Sequence, residues 1–414
     1  MVGRELNLYY DALALLPDVG LSSPPQFLFD VQCDIGAPTR RSFRVTPTAA
    51  QVGNHPLTVL VYDNEDNVVE SASTTLSVVA AANPGSVKRI LCIGDSTTDD
   101  TGVVTKTLQE NLASIGGNVP LFIGTHGQAP YNMEARSGQT FGYFANGGGL
   151  RFKFTVSGFP ANTPFWPFWF FRGLDDSGYI LGYEEQTING GTTGTVIAVV
   201  ATSPNGQNIG AGWTGQLKLG NAVFNVTNTE ALPAYSILKT NGTGPLSIAN
   251  YISRFNFGGC DLLSADLGIN DCRGPLQSEA THMAKIDAAK AIFTSYFAYN
   301  ANGKVMICLT KSGASTRNIG DVGTQHDSYR MNIHRLRELI IQHFDNGAFD
   351  SRVVVCASGL TIDRYYGYPL LDAVPVAARY TETETIHGDL VHPRDNGYKQ
   401  VADAMTGTAL ALLA

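Results

Sequence analysis

Two strings near opposite ends of the chain carry the residue types of nucleophilic acyl transfer. The first, Ile90-Leu91-Cys92-Ile93-Gly94-Asp95-Ser96-Thr97-Thr98, reads as a buried strand ending in Gly-Asp-Ser just ahead of a helix. That arrangement exposes a hydroxyl at a sheet edge, beside backbone N–H groups and the positive end of a helix, where a developing oxyanion is stabilised. The second is His387-Gly388-Asp389-Leu390-Val391-His392-Pro393, which leads into the last helical pattern. A serine hydroxyl is a poor nucleophile unless an imidazole takes its proton, and that imidazole needs a carboxylate to fix its tautomer. Asp389 and His392, three apart on a turn, can face one cleft, and Pro393 suits the first helical position. Ser96 is thus the candidate nucleophile, His392 the base and Asp389 its orienter. Both strings also have plainer readings. Gly-Asp-Ser is helix-cap chemistry, and His387, Asp389 and His392 are all metal-ligand types. No second ligand cluster with suitable spacing accompanies them, so no metal is expected, and His387 is read as structural.

Two further strings are weak alone and gain meaning from their placement. Leu267-Gly268-Ile269-Asn270-Asp271 ends a strand-like run and sets the Asn270 amide where it can donate to an oxyanion, with glycine beside it for close approach. Arg136-Ser137-Gly138-Gln139-Thr140 offers the Gly138 N–H, with Gly124 and Gly127 as rivals. Arg136 either steers an acidic substrate group or makes a surface salt bridge. The run Phe165-Trp166-Pro167-Phe168-Trp169-Phe170-Phe171 is too short and proline-broken to span a membrane. Its flat rings suit sugar stacking, which makes Trp166 and Trp169 candidate substrate contacts; the plainer reading is packing onto the main body or a subunit contact, and the isolated Trp213 is treated alike. Asp95 is read as bracing the nucleophile turn, and His126, His326, His334 and His343 as surface or helix-face residues. Asp363 and Glu384 are fallback orienters.

The elements that must position these residues alternate. Strand-like runs at Val87–Ile93, Val119–Ile123, Asp261–Leu267, Lys304–Thr310 and Arg352–Ala357 are interleaved with helical patterns. The helical patterns lie near Val103–Ile115, Leu246–Phe257, Ser278–Ala298, Gln325–Phe344 and Asn396–Leu413. Continuous apolar strands between amphipathic helices indicate a parallel sheet covered on both faces, whose ligands bind at the carboxyl ends of its strands. Residues 1–84 read instead as short strands with turn punctuation, at Gln26–Gln32, Arg41–Pro47, Leu57–Asp63 and Ser73–Ala80. A small immunoglobulin-like β-sandwich is the economical expectation there, with Ala82-Asn83-Pro84-Gly85 as linker to a main domain over 85–414. Residues 146–243, rich in Gly, Thr and β-branched types, read as a β-rich insertion with strands at Leu150–Val156, Thr195–Ala201 and Gln216–Val226.

Composition narrows the partners. The 414 residues suggest two or three domains. The net charge of −8 without any Lys/Arg-rich run argues against nucleic acid or an anionic membrane, since phosphate neutralisation needs clustered positive charge. No stretch reaches the roughly 20 apolar residues of a membrane span, and the first residues lack the basic-then-apolar pattern of a signal peptide. The six cysteines include no Cys-x-x-Cys pair and are read as free thiols.

Taken together and in order, the four strings resemble the SGNH (GDSL-type) hydrolase superfamily. Gly94-Asp95-Ser96 matches its first block, Gly138 its second, Gly268-Ile269-Asn270-Asp271 its third and Asp389-Leu390-Val391-His392 its fifth. The resemblance spans about residues 87 to 412, outside the insertion. It implies a flavodoxin-like three-layer α/β/α domain with a five-stranded parallel sheet. It also implies Ser96, His392 and Asp389 as catalytic residues, with the Ser96 N–H, the Gly138 N–H and the Asn270 amide as oxyanion donors. No cofactor or metal is implied. Members are esterases, lipases, thioesterases and carbohydrate deacetylases, which alone does not fix the substrate. The acidic balance, the aromatic run and the accessory β-regions make an acylated carbohydrate, foremost an O-acetylated polysaccharide, the expected substrate, in an extracellular, periplasmic or virion-associated setting. The competing expectation is a glycan-binding surface or virion appendage that keeps the fold. The long gap between the Gly138 and Asn270 blocks departs from a minimal member.

Overall fold

The computed structural model describes residues 1–14, 27–99, 102–136, 138–147, 150–157, 171–173, 178–189, 193–202, 211–212, 214–219, 222–232, 236–240, 243–314, 326–375, 379 and 381–414. Trp166, Trp169 and Trp213 lie outside them. Two compact units emerge, one of residues 1–141 with 255–414, the other of 142–254.

The first unit is built on a parallel sheet. Its strands are β1 (Arg89–Gly94), β2 (Leu121–Ile123), β3 (Glu134–Ala135), β4 (Leu262–Asp266), β5 (Lys304–Cys308) and β6 (Val353–Cys356). The spatial order is β6-β5-β4-β1-β2, with the short β3 also pairing along β1. Chain order reverses between β2-β1 and β4-β5-β6, so the switch point falls between β1 and β4, the place where doubly wound sheets bind ligands. Every residue of β4 is buried, and Leu91, Ile93, Leu263 and Ile307 are inaccessible to water. Each such side chain stabilises the fold by roughly 1.5–3 kcal/mol relative to exposure. A sheet buried in this way must be covered on both faces. The covers are α1 (Val103–Ile115), α2 (Glu279–Tyr299), α3 (His326–Phe344) and α4 (Asp395–Leu413). Helix α1 bonds to α4 through the Asn111 amide, which donates to Asp403 and Thr406. Ser278 caps α2 by accepting from the Thr281 N–H.

Ahead of this sheet, strands Leu6–Tyr9, Ala37–Pro38 and Ser42–Val45 form one three-stranded antiparallel sheet. Leu28–Cys33, Gly53–Tyr62 and Val68–Val78 form another. Leu8, Phe43 and Val45 from the first and Val31, Leu57 and Val78 from the second share one apolar cluster. The turn at residues 64–67 is closed by Asp63, whose carboxylate accepts from the Glu65 and Asn67 N–H groups. This front segment is tied to the strand ends by buried arginines. Arg337 donates to the carbonyls of Ala12, Thr310 and Gly359 and to the Ser312 hydroxyl. Arg364 donates to the carbonyls of Asp11, Gly313 and Ala314. At the rim, Arg41 makes a two-point ion pair with Asp363 at 3.0 and 2.7 Å.

The second unit holds a closed six-stranded antiparallel barrel. Around it run Leu150–Ser157, Thr193–Thr202, Gly178–Asn189, Phe171–Gly173, Gly215–Leu219 and Ala222–Leu232. The single strand expected at Gln216–Val226 is instead two, paired Leu219 to Ala222. All six cysteines are free thiols. Among the described residues no helix is long and apolar enough to cross a membrane.

Candidate functional site

Strand β1 delivers Asp95 and Ser96 to its carboxyl end, and the chain turns at once into a one-turn helix, Ser96–Asp99. Gly94 permits the turn, because a Cβ there would stand 2.5 Å from the Thr98 hydroxyl. Ser96 is buried, and its Oγ lies 2.9 Å from His392 Nε2. His392 Nδ1 lies 2.9 Å from Asp389 Oδ2. An ionised carboxylate only accepts, so Nδ1 carries the imidazole proton and the Nε2 lone pair faces the serine hydroxyl. The other carboxylate oxygen, Asp389 Oδ1, accepts from the Val391 and His392 N–H groups at 2.7 and 2.8 Å. Burial pushes the Asp389 carboxyl up, but these hydrogen bonds outweigh it and leave it below the usual carboxylate range.

The Asp389–His392 turn is held by main-chain bonds to its neighbours. Gly388 donates to Pro369, Ala314 donates to the Leu390 carbonyl, and Arg394 donates to Gly367. A hairpin, Leu370–Pro375 with Thr383–His387, leads into the turn. His387 is fully buried and its Nε2 donates to the Tyr365 carbonyl at 2.8 Å, which commits the ring to the fold. Of the fallback orienters, Asp363 is engaged by Arg41 and by the Tyr365 and Tyr366 N–H groups. The backbone of Glu384 lies in the hairpin.

Asn270 and Gly138 stand on neighbouring segments. The Asn270 amide donates to the Gln139 carbonyl at 3.2 Å, which ties the two strings together. Gly138 is exposed and adopts a φ of 76°, a left-handed conformation suited to glycine. It follows β3, whose Ala135 pairs with Gly94, and the Arg136 N–H donates to the Gly94 carbonyl at 3.0 Å. Gly124 serves a different end, since a Cβ there would collide with the Met133 backbone. Arg136 is committed to the fully buried Glu134 at 2.7 Å, so its ion pair is an interior one and not the expected surface bridge. His126 is likewise buried, bridged through its backbone to Met133, and not on the surface. His334 lies beside Arg337, Arg330 and Arg364; burial first and then these cations hold it down to about 3, so it stays neutral.

Sequence reading missed the floor beneath Ser96. Lys311 Nζ, from the loop after β5, lies 2.6 Å from both carboxylate oxygens of Asp266, the last residue of β4, and 2.9 Å from the Thr97 hydroxyl. Thr98 donates to Asp266 at 2.8 Å, and Asp95 accepts from the Thr97 hydroxyl and N–H at 2.7 and 2.9 Å. Burial raises the Asp95 carboxyl to about 6 despite the nearby Lys311 cation. The available signal was a lone charge closing each apolar run, Asp266 after Leu262-Leu263-Ser264-Ala265 and Lys311 after Leu309-Thr310. Among the described residues no group of three or more His, Cys, Asp or Glu side chains is arranged to hold a metal.

The chain is similar to several solved structures. One is a carbohydrate esterase family 3 protein from Talaromyces cellulolyticus, at 11% identity and TM-score 0.38, covering 79% of this chain and 98% of that one. Another is a peptidoglycan O-acetylesterase, at 13% identity and TM-score 0.34, covering 80% and 93%. A third is a carbohydrate esterase family 2 enzyme with a carbohydrate-binding domain from Myceliophthora fergusii, at 11% identity and TM-score 0.32, covering 100% and 91%. No protein-family model and no curated protein matches the chain.

Proposed function

We propose that this protein is an SGNH-type serine esterase that hydrolyses O-acyl esters, foremost O-acetyl groups on a carbohydrate or polysaccharide. The observation that carries the reading is the unbroken hydrogen-bond line from Ser96 through His392 to Asp389, with 2.9 Å at each step. In this mechanism Ser96 Oγ attacks the ester carbonyl while His392 Nε2 takes its proton. The carbonyl oxygen turns toward the N–H groups of Ser96 and Gly138 and the Asn270 amide, which stabilise its charge. His392 then returns the proton to the departing sugar hydroxyl, leaving an acyl-Ser96. Water, deprotonated by His392, attacks that ester and releases the carboxylic acid and free Ser96. Asp389 keeps the imidazole in the required tautomer and stabilises its cation.

The carbohydrate end of the reading draws on the net charge of −8, which disfavours polyanions, and on the Phe165–Phe171 run with Trp166 and Trp169 as stacking surfaces. The immunoglobulin-like front domain over 1–84 and the insertion over 146–243 would present a polymer to the hydrolase domain, an SGNH fold of the flavodoxin-like kind. The test is acetate release from a panel of acetylated glycans by wild type and Ser96→Ala. Release by the variant falls by about 10⁴-fold or more while glycan binding persists. Full activity in Ser96→Ala overturns the proposal, and glycan binding by wild type without release indicates a binding protein. Rates on acetyl and long-chain chromogenic esters separate a short acyl pocket from a lipid tunnel.

A further inference from the structure

We infer that Lys311 and Asp266 are positioning residues, a buried ionic clamp that locks the Ser96 turn in its reactive geometry from below. The inference rests on the esterase reading above. Three strand ends meet at this clamp, since Asp266 closes β4, Lys311 follows β5, and the clamped hydroxyls belong to the two residues after Ser96 at the end of β1. Asp266 is paired directly with Gly94 across the sheet. Lys311 and Asp266 are each 2% exposed.

An ammonium has three N–H donors, and those of Lys311 meet three acceptors, the two Asp266 oxygens and Thr97 Oγ1. Asp266 also accepts a bond from the Thr98 hydroxyl, and the Thr97 hydroxyl in turn donates to Asp95. Both side chains that follow the nucleophile are thereby fixed by charge-assisted bonds in a dry interior, where such bonds are short and strong. A cavity-filling apolar pair would serve stability as well or better, because taking two charges out of water costs about what their attraction returns. What the ionic pair adds is direction, since an ammonium and a carboxylate aim hydrogen bonds at the two threonine hydroxyls and an apolar pair aims none. The ammonium also supplies a counter-charge where the floor beneath Ser96 gathers the carboxyls of Asp95 and Asp266.

The experiment compares wild type with the double variant Lys311→Met, Asp266→Leu, which removes both charges together and avoids stranding either. Thermal melting, kcat and KM on p-nitrophenyl acetate, and the rate of covalent labelling of Ser96 by a fluorophosphonate are measured. The double variant melts near wild type, keeps KM within about threefold, and loses about 10²-fold in kcat and in labelling rate, as expected when a reacting atom is misplaced by about 1 Å. A folded double variant with kcat and labelling within threefold of wild type overturns the inference. Should the double variant fail to fold, Thr97→Val with Thr98→Val keeps the ion pair and removes only the aimed hydroxyls. A loss of about tenfold in labelling at unchanged KM supports the clamp, and wild-type labelling overturns it. Ser96→Ala runs alongside as the control that separates the two ideas. Turnover that survives Ser96→Ala defeats the esterase mechanism itself, whereas turnover lost there but intact in the clamp variants defeats the clamp alone.

Discussion

Ser96, Thr97 and Thr98 are between 1 and 5% exposed, whereas the side chains of Asp389 and His392, in direct line with Ser96, are 38% and 32% exposed. The Ser96 arm is braced by side chains, with Lys311, Asp266 and Asp95 reaching the turn from below. The Asp389–His392 arm is braced by backbone, through the bonds of Gly388, Leu390 and Arg394 to flanking loops. Buried charge-assisted bonds fix geometry before any substrate arrives. A half-exposed carboxylate and imidazole exchange with water and tolerate small adjustments. The site thus pairs a rigid hydroxyl with a more adaptable imidazole.

The largest test of this contrast removes the adaptable arm outright. His392→Ala lowers kcat by about 10⁴-fold or more, and Asp389→Asn by about 10³ to 10⁴-fold through the wrong tautomer, read as ester hydrolysis at saturating substrate. Next, Gly94→Ala probes the rigidity of the other arm. Its Cβ would meet Thr98 Oγ1 and Cβ at 2.5 and 2.6 Å, so the turn must shift, and kcat falls by about 10²-fold with KM little changed.

The arms also titrate with opposite sign. Asp95 rises to about 6 on folding from an ordinary 3.8, so the folded state holds its proton more tightly and stability falls as pH climbs from about 4 to 6. Asp95→Asn removes this loss, a gain on the order of 1–3 kcal/mol above pH 6, measured by urea unfolding across that range. Asp389 is depressed on folding, so its contribution is present above its unfolded value and is lost as pH falls through the folded one. The smallest effect is expected of Gly388→Ala. The nearest atoms its Cβ would meet are side-chain atoms of Leu371, at 3.0 to 3.4 Å, and that side chain is half exposed and free to move aside. Activity changes by less than about threefold, in a standard ester assay.

What sequence made legible follows the range of the forces involved. Helix α1 begins and ends at the residues its periodicity predicts, Val103 and Ile115, because Gly102 and Gly116 bound it locally. The five main strands are continuous apolar runs and announce themselves, whereas β3, two residues long, has no pattern to read. The barrel strand Gly178–Asn189 escaped because Gly178, Gly182 and its polar half break alternation, and the hairpin ending at His387 because its strands are short and interrupted by a bulge. Ser96, Asp389 and His392 stood out by chemical type. The clamp did not, because Lys311 lies 45 residues from Asp266 and 214 from Thr97, and its meaning exists only once three strand ends converge.

Arg337 and Arg364 each direct one guanidinium N–H at a carbonyl of the first dozen residues, Ala12 and Asp11, from positions only 4% exposed. A polypeptide shortened to begin at residue 85 would lose both acceptors and exchange two charge-assisted bonds for bonds to water, at about 1.5–3 kcal/mol apiece. The opening residues therefore furnish acceptors to the interior of the unit that carries Ser96 and His392, and exchanging them wholesale would loosen the arginines that also hold Thr310, Gly313 and Ala314.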